Sequence, residues 1–398
     1  MCLKSNPPEQ TPAQKIMKKF WIIAGEASGD VYGAALAEEL RRLGAEKGET
    51  VEISGMGGNA MIKAGVNIKV DSTELGVIGI FEVLKSIFTF IRIFFYLLKE
   101  VKKDRPDAVI LIDYPGFNLR FAKKLYKLGI PVYWYVSPQV WVWGKKRLPV
   151  LAKICTKMLV IFPFEVEVYA NSGLEAKFVG HPLVNVISAR RDPEIIRDPD
   201  TFLLLPGSRK NEIDRLLIPM LEVVEELHKK HPNLKFILAA PREKIADSCR
   251  KKILKFRKKH PGLPEITISI GNTGKLQQLA GTGLAASGTV TVECALSGLP
   301  LVVGYKLNIL TLALAKILVT LYRGFFTMVN IIADKEVYQE FLQWHFCKKE
   351  VLPAVEAILP GGSRRQEVED GMKQVGVLLG STSEVSALSR AAAEMYEG

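Results

Sequence analysis

Two glycine-containing turns in the second half of the chain carry groups that bind phosphate. Gly207-Ser208-Arg209 and Ser287-Gly288-Thr289 each follow a short apolar run and precede a helical pattern. A turn that opens a helix leaves backbone N–H groups at the positive end of the helix dipole, where anions bind. Arg209 adds a guanidinium that can bind two phosphate oxygens. Either motif alone is more simply an ordinary turn, with Arg209 a surface cation; the pair, with the motifs described below, favours a phosphate site.

A carboxylate lies just beyond the second turn, because Glu293 follows Gly288 by five residues. That spacing is about one and a half turns of helix, so Glu293 can reach a ribose hydroxyl beside the phosphate site. A solvated helix glutamate is the alternative, and the resemblance described below makes it the weaker one.

Carboxylates also follow two apolar runs in the first half of the chain. Glu26 lies in Gly25-Glu26-Ala27-Ser28-Gly29-Asp30, and Asp113 follows residues 109–112. Transfer of a group to a hydroxyl needs one base to take the hydroxyl proton, and either carboxylate can serve. Asp113 can equally cap its Tyr-Pro-Gly turn, whereas Ser28 and Asp30 are typical helix caps. The residues leave the choice of base open.

These motifs need a scaffold that brings strand ends together. Apolar runs ending in turn residues occur at 20–24, 109–112 and 132–136, and the pattern restarts at 202–205 and 236–239. Alternating strands and helices indicate parallel sheets with functional loops at the carboxyl ends of the strands. We expect an α/β protein with two Rossmann-like domains facing a central cleft. The predicted domains are residues 18–185 and 200–345, flanked by a loose tail at 1–17 and a C-terminal helical segment at 346–398.

Composition agrees with a folded protein of two domains. The chain has 398 residues and a net charge of +12, which favours anionic partners such as nucleic acid, acidic lipid or phosphorylated metabolites. Five cysteines without a CxxC pair fit a reduced cytosolic setting. An aromatic cluster at 133–143 lacks any RNA-binding signature, so we expect no nucleic-acid partner.

Residues 77–98 contain apolar side chains more densely than a soluble enzyme helix requires. The segment can span a bilayer, lie on one, or fill a large core. Glu82, Lys85 and Arg92 argue against a span, and the cations within and after the segment are typical of a helix in an anionic interface. A second apolar stretch, 307–321, is expected to be buried. The predicted membrane-docking face consists of Phe81, Leu84, Phe88, Ile91, Phe95 and Leu98.

Several blocks occur in one order: GEASGD at 25–30, YVSPQVWVW at 135–143, VGHPL at 179–183, LPGSR at 205–209 and ASGTVTVEC at 286–294. Together they resemble the lipid-A-disaccharide synthase family over residues 18–360, and such a set is far more specific than a single glycine motif. The resemblance implies a glycosyltransferase-B fold. It also implies inverting transfer of 2,3-diacylglucosamine from UDP to the 6-hydroxyl of 2,3-diacylglucosamine 1-phosphate (lipid X), without a metal or other cofactor.

The family pattern also implies roles for individual residues. Asp113 matches the candidate base, with Glu26 as the alternative. The implied UDP-sugar site is Ser208, Arg209, Ser287, Gly288, Thr289, Glu293 and Asn330. The implied acceptor site is Gly25, Ser28, Asp30, Asn118 and His181. The chain departs from the family at residues 327–329, where Thr-Met-Val replaces the usual Ser-Leu-Pro before Asn330.

Acylated substrates imply a cytoplasmic enzyme bound peripherally to the anionic surface of the inner membrane. Family members form dimers, some by exchanging C-terminal elements, so the resemblance suggests a homodimer. Other enzymes of the same fold, a peptidoglycan transferase or a UDP-GlcNAc epimerase, are the alternatives. A non-catalytic nucleotide-sugar-binding membrane protein is an alternative of another class, which the candidate base and phosphate groups disfavour.

Overall fold

The structure, a computed structural model, describes residues 17–72, 83–306 and 324–397. The expected tail therefore lies outside the described residues, apart from Met17, which begins the first strand. Phe81 and the apolar stretch at 307–321 also lie outside them. Leu84 belongs to a described helix, but its side chain is not described.

The first domain is built around a seven-stranded parallel sheet with the strand order β3-β2-β1-β4-β5-β6-β7. This order extends the doubly wound Rossmann arrangement, in which each strand is followed by a crossover. The strands are β1 Met17–Ala24, β2 Thr50–Gly57, β3 Asn67–Asp71, β4 Ala108–Ile112, β5 Val132–Tyr135, β6 Lys157–Val160 and β7 Ala176–Phe178. The helices are α1 Ala27–Glu46, α2 Asn59–Lys63, α3 Val83–Asp104, α4 Pro115–Lys127, α5 Val140–Trp143, α6 Leu148–Ile154 and α7 Glu165–Tyr169, with a 3-10 turn at Lys145–Arg147.

The second domain repeats the design around a six-stranded parallel sheet with the order β10-β9-β8-β11-β12-β13. The connecting helix is α8, Pro182–Arg190. The strands are β8 Asp198–Leu205, β9 Lys235–Ala240, β10 Ile266–Ile270, β11 Ala280–Ala286, β12 Leu301–Tyr305 and β13 Gln339–Leu342. The helices are α9 Lys210–Lys230, α10 Glu243–Arg257, α11 Thr273–Leu279, α12 Thr289–Leu296 and α13 Met328–Ala333, with a 3-10 turn at Gln343–His345.

The central strands are apolar along their length because helices cover both faces of each sheet. Every residue of β4 and of β11 is buried. The aromatic residues of β5, Tyr133, Trp134 and Tyr135, are at most 1% exposed, so they are core residues and unavailable to stack on a nucleic-acid base. Because these strands are buried, their carboxyl ends are held rigidly. The loops that follow those ends form the candidate active site.

The C-terminal segment contacts both domains. It contains α14 Lys348–Glu356, α15 Arg365–Leu378 and α16 Ala387–Glu397. The first two helices pack on the second domain, whereas α16 packs against α1 in the first. Lys18 Nζ donates to the carbonyl of Tyr396 at 2.7 Å, and Lys157 pairs with Glu394 at 2.9 Å. The chain therefore crosses between the domains twice.

Helix α3 exposes only part of the predicted docking face. Phe88, Ile91 and Phe95 are 75%, 48% and 59% exposed, but Leu98 is only 7% exposed. Leu98 packs in the core beside Val101, because the C-terminal half of the helix lies against the sheet. Its assignment to the docking face is wrong for this reason. Among the residues that the structure describes, no helix is long and apolar enough to cross a membrane.

Candidate active site

A cavity of about 390 Å³ lies between the two domains. Its first wall comes from the segments that follow β1, β4, β5, β6 and β7, and includes Ser28, Asp113 and His181. Its second wall contains Thr289 and Met328 of the second domain, together with Val292. Several predicted site residues, distant in sequence, are thus brought to one interdomain space.

Asp113 begins a strained turn at the end of β4. Asp113 and Tyr114 have φ values of 45° and 50°, a left-handed conformation that costs about 1–3 kcal/mol for a non-glycine residue. Buried Asn118 stabilises the turn, because its Nδ2 donates to the carbonyls of Asp113 at 2.8 Å and Ile112 at 3.3 Å. A Cβ added to Gly25 would lie 2.2 Å from the Tyr114 ring. Asn118 and Gly25, predicted to bind the acceptor, therefore shape this turn and do not line the cavity.

The carboxyl group of Asp113 has the proton affinity of a general base. Burial, and secondarily the charge of Glu26, raise the pKa of Asp113 to about 6, against a lowering by a hydrogen bond from the backbone of Tyr114. A base of this pKa is deprotonated at neutral pH yet more basic than an ordinary carboxylate. Glu26 is exposed at the N-terminus of α1 and does not line the cavity. The two candidates thus interact, but only Asp113 faces the interdomain space.

Ser28 and Asp30 have different surroundings. Ser28 is exposed and lines the cavity. Asp30 is 6% exposed, and its carboxylate accepts N–H groups from Gly58 at 2.6 Å, Ala60 at 2.9 Å and Met61 at 3.1 Å. Asp30 therefore caps α2, where a carboxylate also complements the helix dipole. Its role as an acceptor ligand stays a prediction, because three N–H donors do not use all the acceptor positions of a carboxylate.

His181 lines the cavity while almost fully buried. Its Nδ1 accepts the backbone N–H of Leu183 at 3.0 Å, so the neutral ring carries its proton on Nε2. Burial lowers the pKa of His181 to about 3, which keeps the imidazole uncharged. Its backbone N–H donates to Leu379 at 3.0 Å. His181 is both a neutral wall residue and part of the interdomain connection.

The turn at Ser287-Gly288-Thr289 opens α12 toward the cavity. A Cβ added to Gly288 would meet no atom within 4 Å, so the backbone here faces open space. Glu293 is half-buried on the same helix and accepts Gln277 Nε2 at 3.3 Å. The pKa of Tyr32, in the first domain, is raised to about 12. Burial is the larger cause, and the negative charge of Glu293 is the next. Glu293 therefore faces across the cleft, and Gln277, which sequence reasoning missed, orients it.

The first glycine turn is arranged differently. The carboxylate of Glu212 accepts the backbone N–H groups of Ser208 at 2.8 Å and Arg209 at 3.2 Å. The Arg209 side chain is 81% exposed and pairs with Glu212 at 3.3 Å. Ser208 and Arg209 do not line the cavity. The backbone donors predicted for phosphate are thus occupied by a capping carboxylate, and the exposed guanidinium is the anion-binding group that the turn offers.

Asn330 is fully buried and its amide makes hydrogen bonds at both ends. Its Nδ2 donates to Tyr338 O and Glu340 Oε1, each at 2.7 Å, and its Oδ1 accepts from Val337 and Tyr338 at 2.9 Å. This contradicts its prediction as a UDP-sugar ligand, because no donor or acceptor is left for one. Glu340, another missed residue, gathers the loop by accepting from Phe326 and Thr327 as well. Met328, which begins the same helix α13 as Asn330, lines the cavity.

Glu165 is a cavity residue that sequence reasoning missed. It is 1% exposed, accepts the Phe162 N–H at 3.3 Å, and faces the side chains of Ser137 and Trp141. Burial raises its pKa to about 7 despite the polar groups around it, which lower the pKa. The carboxyl thereby fixes the loop after β5, which begins at Val136 with a φ of 63°. An acid five residues after the end of β6, within Phe162-Pro163-Phe164-Glu165, was the available signal.

Known proteins identify the family to which this site belongs. The profile of the lipid-A-disaccharide synthetase family matches residues 20–394. The lipid-A-disaccharide synthase of Koribacter versatilis is 37% identical over 386 residues, covering 94% of this chain and 97% of its own. That of Coxiella burnetii (strain Dugway 5J108-111) is 37% identical over 361 residues, covering 88% and 91%.

Solved structures support the fold. A UDP-GlcNAc 2-epimerase from Neisseria meningitidis bound to UDP-GlcNAc aligns with a TM-score of 0.60 at 11% identity, covering 96% of this chain and 99% of that one. The glycotransferase of kitacinnamycin aligns with a TM-score of 0.61 at 13% identity, covering 95% and 98%. Identities this low establish the glycosyltransferase-B architecture alone. With the extended matches to curated relatives, the chain belongs to the lipid-A-disaccharide synthetase family and is a glycosyltransferase of lipid A assembly.

Proposed function

We propose that Asp113 is the general base in the transfer of 2,3-diacylglucosamine from UDP to lipid X. The acceptor 6-hydroxyl oxygen attacks the anomeric carbon as the bond to the diphosphate breaks. Asp113 takes the hydroxyl proton, and UDP leaves with the bonding electrons. The observation that carries this proposal is a carboxyl of raised pKa in the interdomain cavity, opposite Thr289 of the second domain.

The departing diphosphate is assigned to the second domain. Thr289 lines the cavity at the N-terminus of α12, and the open backbone at the preceding Gly288 supplies further N–H donors beside it. Ser287 belongs to the same turn, and Glu293 is placed to accept from a ribose hydroxyl. The exposed guanidinium of Arg209 supplies the balancing charge on the outer side of the diphosphate. Ser28 and His181 line the acceptor side of the cavity.

The test is an assay of UDP release from UDP-2,3-diacylglucosamine with and without lipid X. Release that depends on lipid X and yields the disaccharide 1-phosphate is the expected result. Asp113→Asn is the matched variant, because it keeps the shape of the turn and removes the base; its turnover should fall by about 100- to 10,000-fold. Acceptor-independent UDP release would instead indicate epimerase-type chemistry, and no release would indicate a non-catalytic protein.

We infer that the enzyme works at the cytoplasmic surface of the inner membrane, docked through α3. Support comes from the exposed rings of Phe88 and Phe95 beside exposed Arg92 and Lys99. An apolar ridge flanked by cations is the composition of a helix that lies in an anionic interface. Such docking lets the sugars react in water while their acyl chains stay in an apolar environment.

A homodimer is part of the same proposal. Helix α16 leaves the second domain and packs on α1 of the first. An element that packs across a domain boundary can be exchanged between two copies of a chain at little energetic cost. Light scattering of the full chain, which gives the mass of the assembly, is the direct test, and a monomeric mass at assay concentration would contradict it.

A further inference from the structure

An open groove of about 890 Å³ lies between α3 and α4, outside the interdomain cavity. Its volume falls within the range of about 300–1,000 Å³ typical of small-ligand pockets. Its apolar lining includes Phe90, Ile91, Phe94, Phe95, Gly116 and Phe117. None of these residues makes a contact described above for the transfer chemistry.

The floor of the groove is a rigid aromatic cluster. The rings of Phe94, Phe117 and Phe121 lie with centroids 5.6 Å apart in edge-to-face and stacked pairs. Phe121 is fully buried beneath them. A floor of interlocked rings keeps its shape when the groove is empty, so it is preorganised for an apolar occupant.

One end of the groove adjoins the candidate base. Tyr114 lines the groove, and its neighbour Asp113 lines the interdomain cavity. The two left-handed residues turn the chain sharply here, and the Tyr114 ring packs directly on Gly25. A molecule whose hydroxyl approaches Asp113 can therefore extend an attached chain past Tyr114 into the groove.

The other edge of the groove is strongly basic. Arg120, Lys123, Lys124 and Lys127 lie at three- and four-residue intervals on α4 and line the groove. That spacing places them along one side of the helix. The α4 sequence contains no acidic residue. The groove thus combines an apolar interior with a cationic rim, the complement of a molecule that has both an acyl chain and an anionic phosphate.

We infer that this groove binds one acyl chain of the acceptor, with the cations of α4 along the path of its phosphate. The inference rests on the proposed function, since it assigns the acceptor to the first domain. The donor is excluded as occupant because its diphosphate is assigned to α12, across the cleft. The bilayer meets the outer ridge at Phe88, which does not line the groove, whereas Ile91 and Phe95 lie where the ridge borders the groove.

The experiment places a larger side chain in the groove, once from α4 and once from α3. A Cβ on Gly116 would meet no atom within 4 Å, so Gly116→Leu adds bulk into open space. Ile91→Trp adds bulk from α3 and serves if Gly116→Leu does not fold. Leu254→Trp on α10, where Leu254 is 62% exposed, is the matched control for an exposed tryptophan. Each protein is assayed in detergent with a long-chain and a short-chain diacylglucosamine 1-phosphate, and its binding to anionic vesicles is measured by sedimentation.

Loss of contact with about two methylenes corresponds to about a tenfold loss of affinity. Both groove variants should therefore raise the KM for the long-chain acceptor about tenfold. The KM values for the short-chain acceptor and the donor should match wild type in both variants, vesicle binding should match wild type in Gly116→Leu, and Leu254→Trp should change none of these quantities. An unchanged long-chain KM in a folded variant overturns the inference. Loss of vesicle binding with unchanged KM in detergent also overturns it, by identifying the bilayer as the occupant. If wild-type protein releases no UDP with either acceptor, it is the proposed function that fails.

Discussion

The side-chain amide of Asn118 donates to the main-chain carbonyl of Asp113 across 2.8 Å. Asn118 is fully buried one turn into α4, so the helix that follows the strand holds the conformation of the candidate base. The left-handed φ of Asp113 would otherwise relax, because nothing in an aspartate side chain requires it. The base is thus positioned by its own backbone and by a residue that never faces the cavity.

Replacing Asn118 by alanine should lower kcat more than it changes the KM for the donor. Small displacements of a catalytic group cost up to about 100-fold in rate, and the lost hydrogen bonds should destabilise the fold by about 1–3 kcal/mol. Steady-state kinetics and urea unfolding measure both. A folded Asn118→Ala protein with wild-type kcat would show that the turn holds itself.

The pH dependence of Glu26→Gln distinguishes the two candidate bases. The charge of Glu26 contributes to the raised pKa of Asp113, about 6. Removing that charge should lower the Asp113 pKa, so the acidic limb of the kcat/KM profile moves to lower pH while activity near neutral pH is retained. If Glu26→Gln instead abolishes turnover at every pH, Glu26 is the base.

Asp113→Asn should be more stable than wild type at pH 7.5. The folded-state pKa of about 6 lies above the ordinary value of 3.8. The folded protein therefore binds more protons than the unfolded chain between those values, and stability falls as pH rises through that window. The uncharged amide avoids this loss, and we expect a gain of about 1–3 kcal/mol at pH 7.5 that vanishes toward pH 3.5. Thermal or urea unfolding at both pH values is the measurement, and equal stability at pH 7.5 would contradict the expectation.

Glu165→Ala should disorder the loop after β5. The substitution leaves the buried N–H of Phe162 without its carboxyl partner, at a cost of about 1–3 kcal/mol. We expect reduced stability, measured by urea unfolding, and a lower kcat. Glu167→Ala, two residues along the same helix, is the control because Glu167 does not line the cavity. Wild-type turnover by a folded Glu165→Ala protein would separate this loop from catalysis.

Phe88→Asp combined with Phe95→Asp should move the protein from anionic vesicles to the supernatant without unfolding it. Both rings are mainly exposed, so their replacement removes little packing. The matched control is Leu254→Asp combined with Val377→Asp, two exposed apolar residues of the second domain and the C-terminal segment. Vesicle sedimentation and circular dichroism give the result; equal binding by both double variants would rule out α3 as the docking site.

The alternation of strands and helices, and the two-sheet architecture, were predictable because apolar runs closed by turn residues mark strands of buried parallel sheets. The sequence did not predict which residues of the apolar stripe of α3 face the core. Phe88 and Leu98 share a broad apolar stripe, and only the position of the sheet decides that one is exposed and the other buried.

Candidate site residues were identifiable where a polar group follows a strand, as for Asp113. Their individual contacts were not, since Asp30 and Asn330 are polar residues in the expected loops whose hydrogen bonds go to backbone groups from other segments. The sequence did not identify Glu165, because its neighbours at the site are distant in the chain. Its carboxyl faces Ser137 and Trp141, residues that the fold brings together from an earlier loop.

The double crossing of the chain restricts how the cleft can close. The two crossings run side by side. His181 N, just before α8, donates to Leu379 O at 3.0 Å, and Ala387 N, at the start of α16, donates to Asn185 Oδ1 in α8 at 3.2 Å. Two coupled segments bend together about one line but resist twisting of one domain against the other. Opening and closing should therefore follow a single hinge direction, which brings Thr289 repeatedly to the same place opposite Asp113.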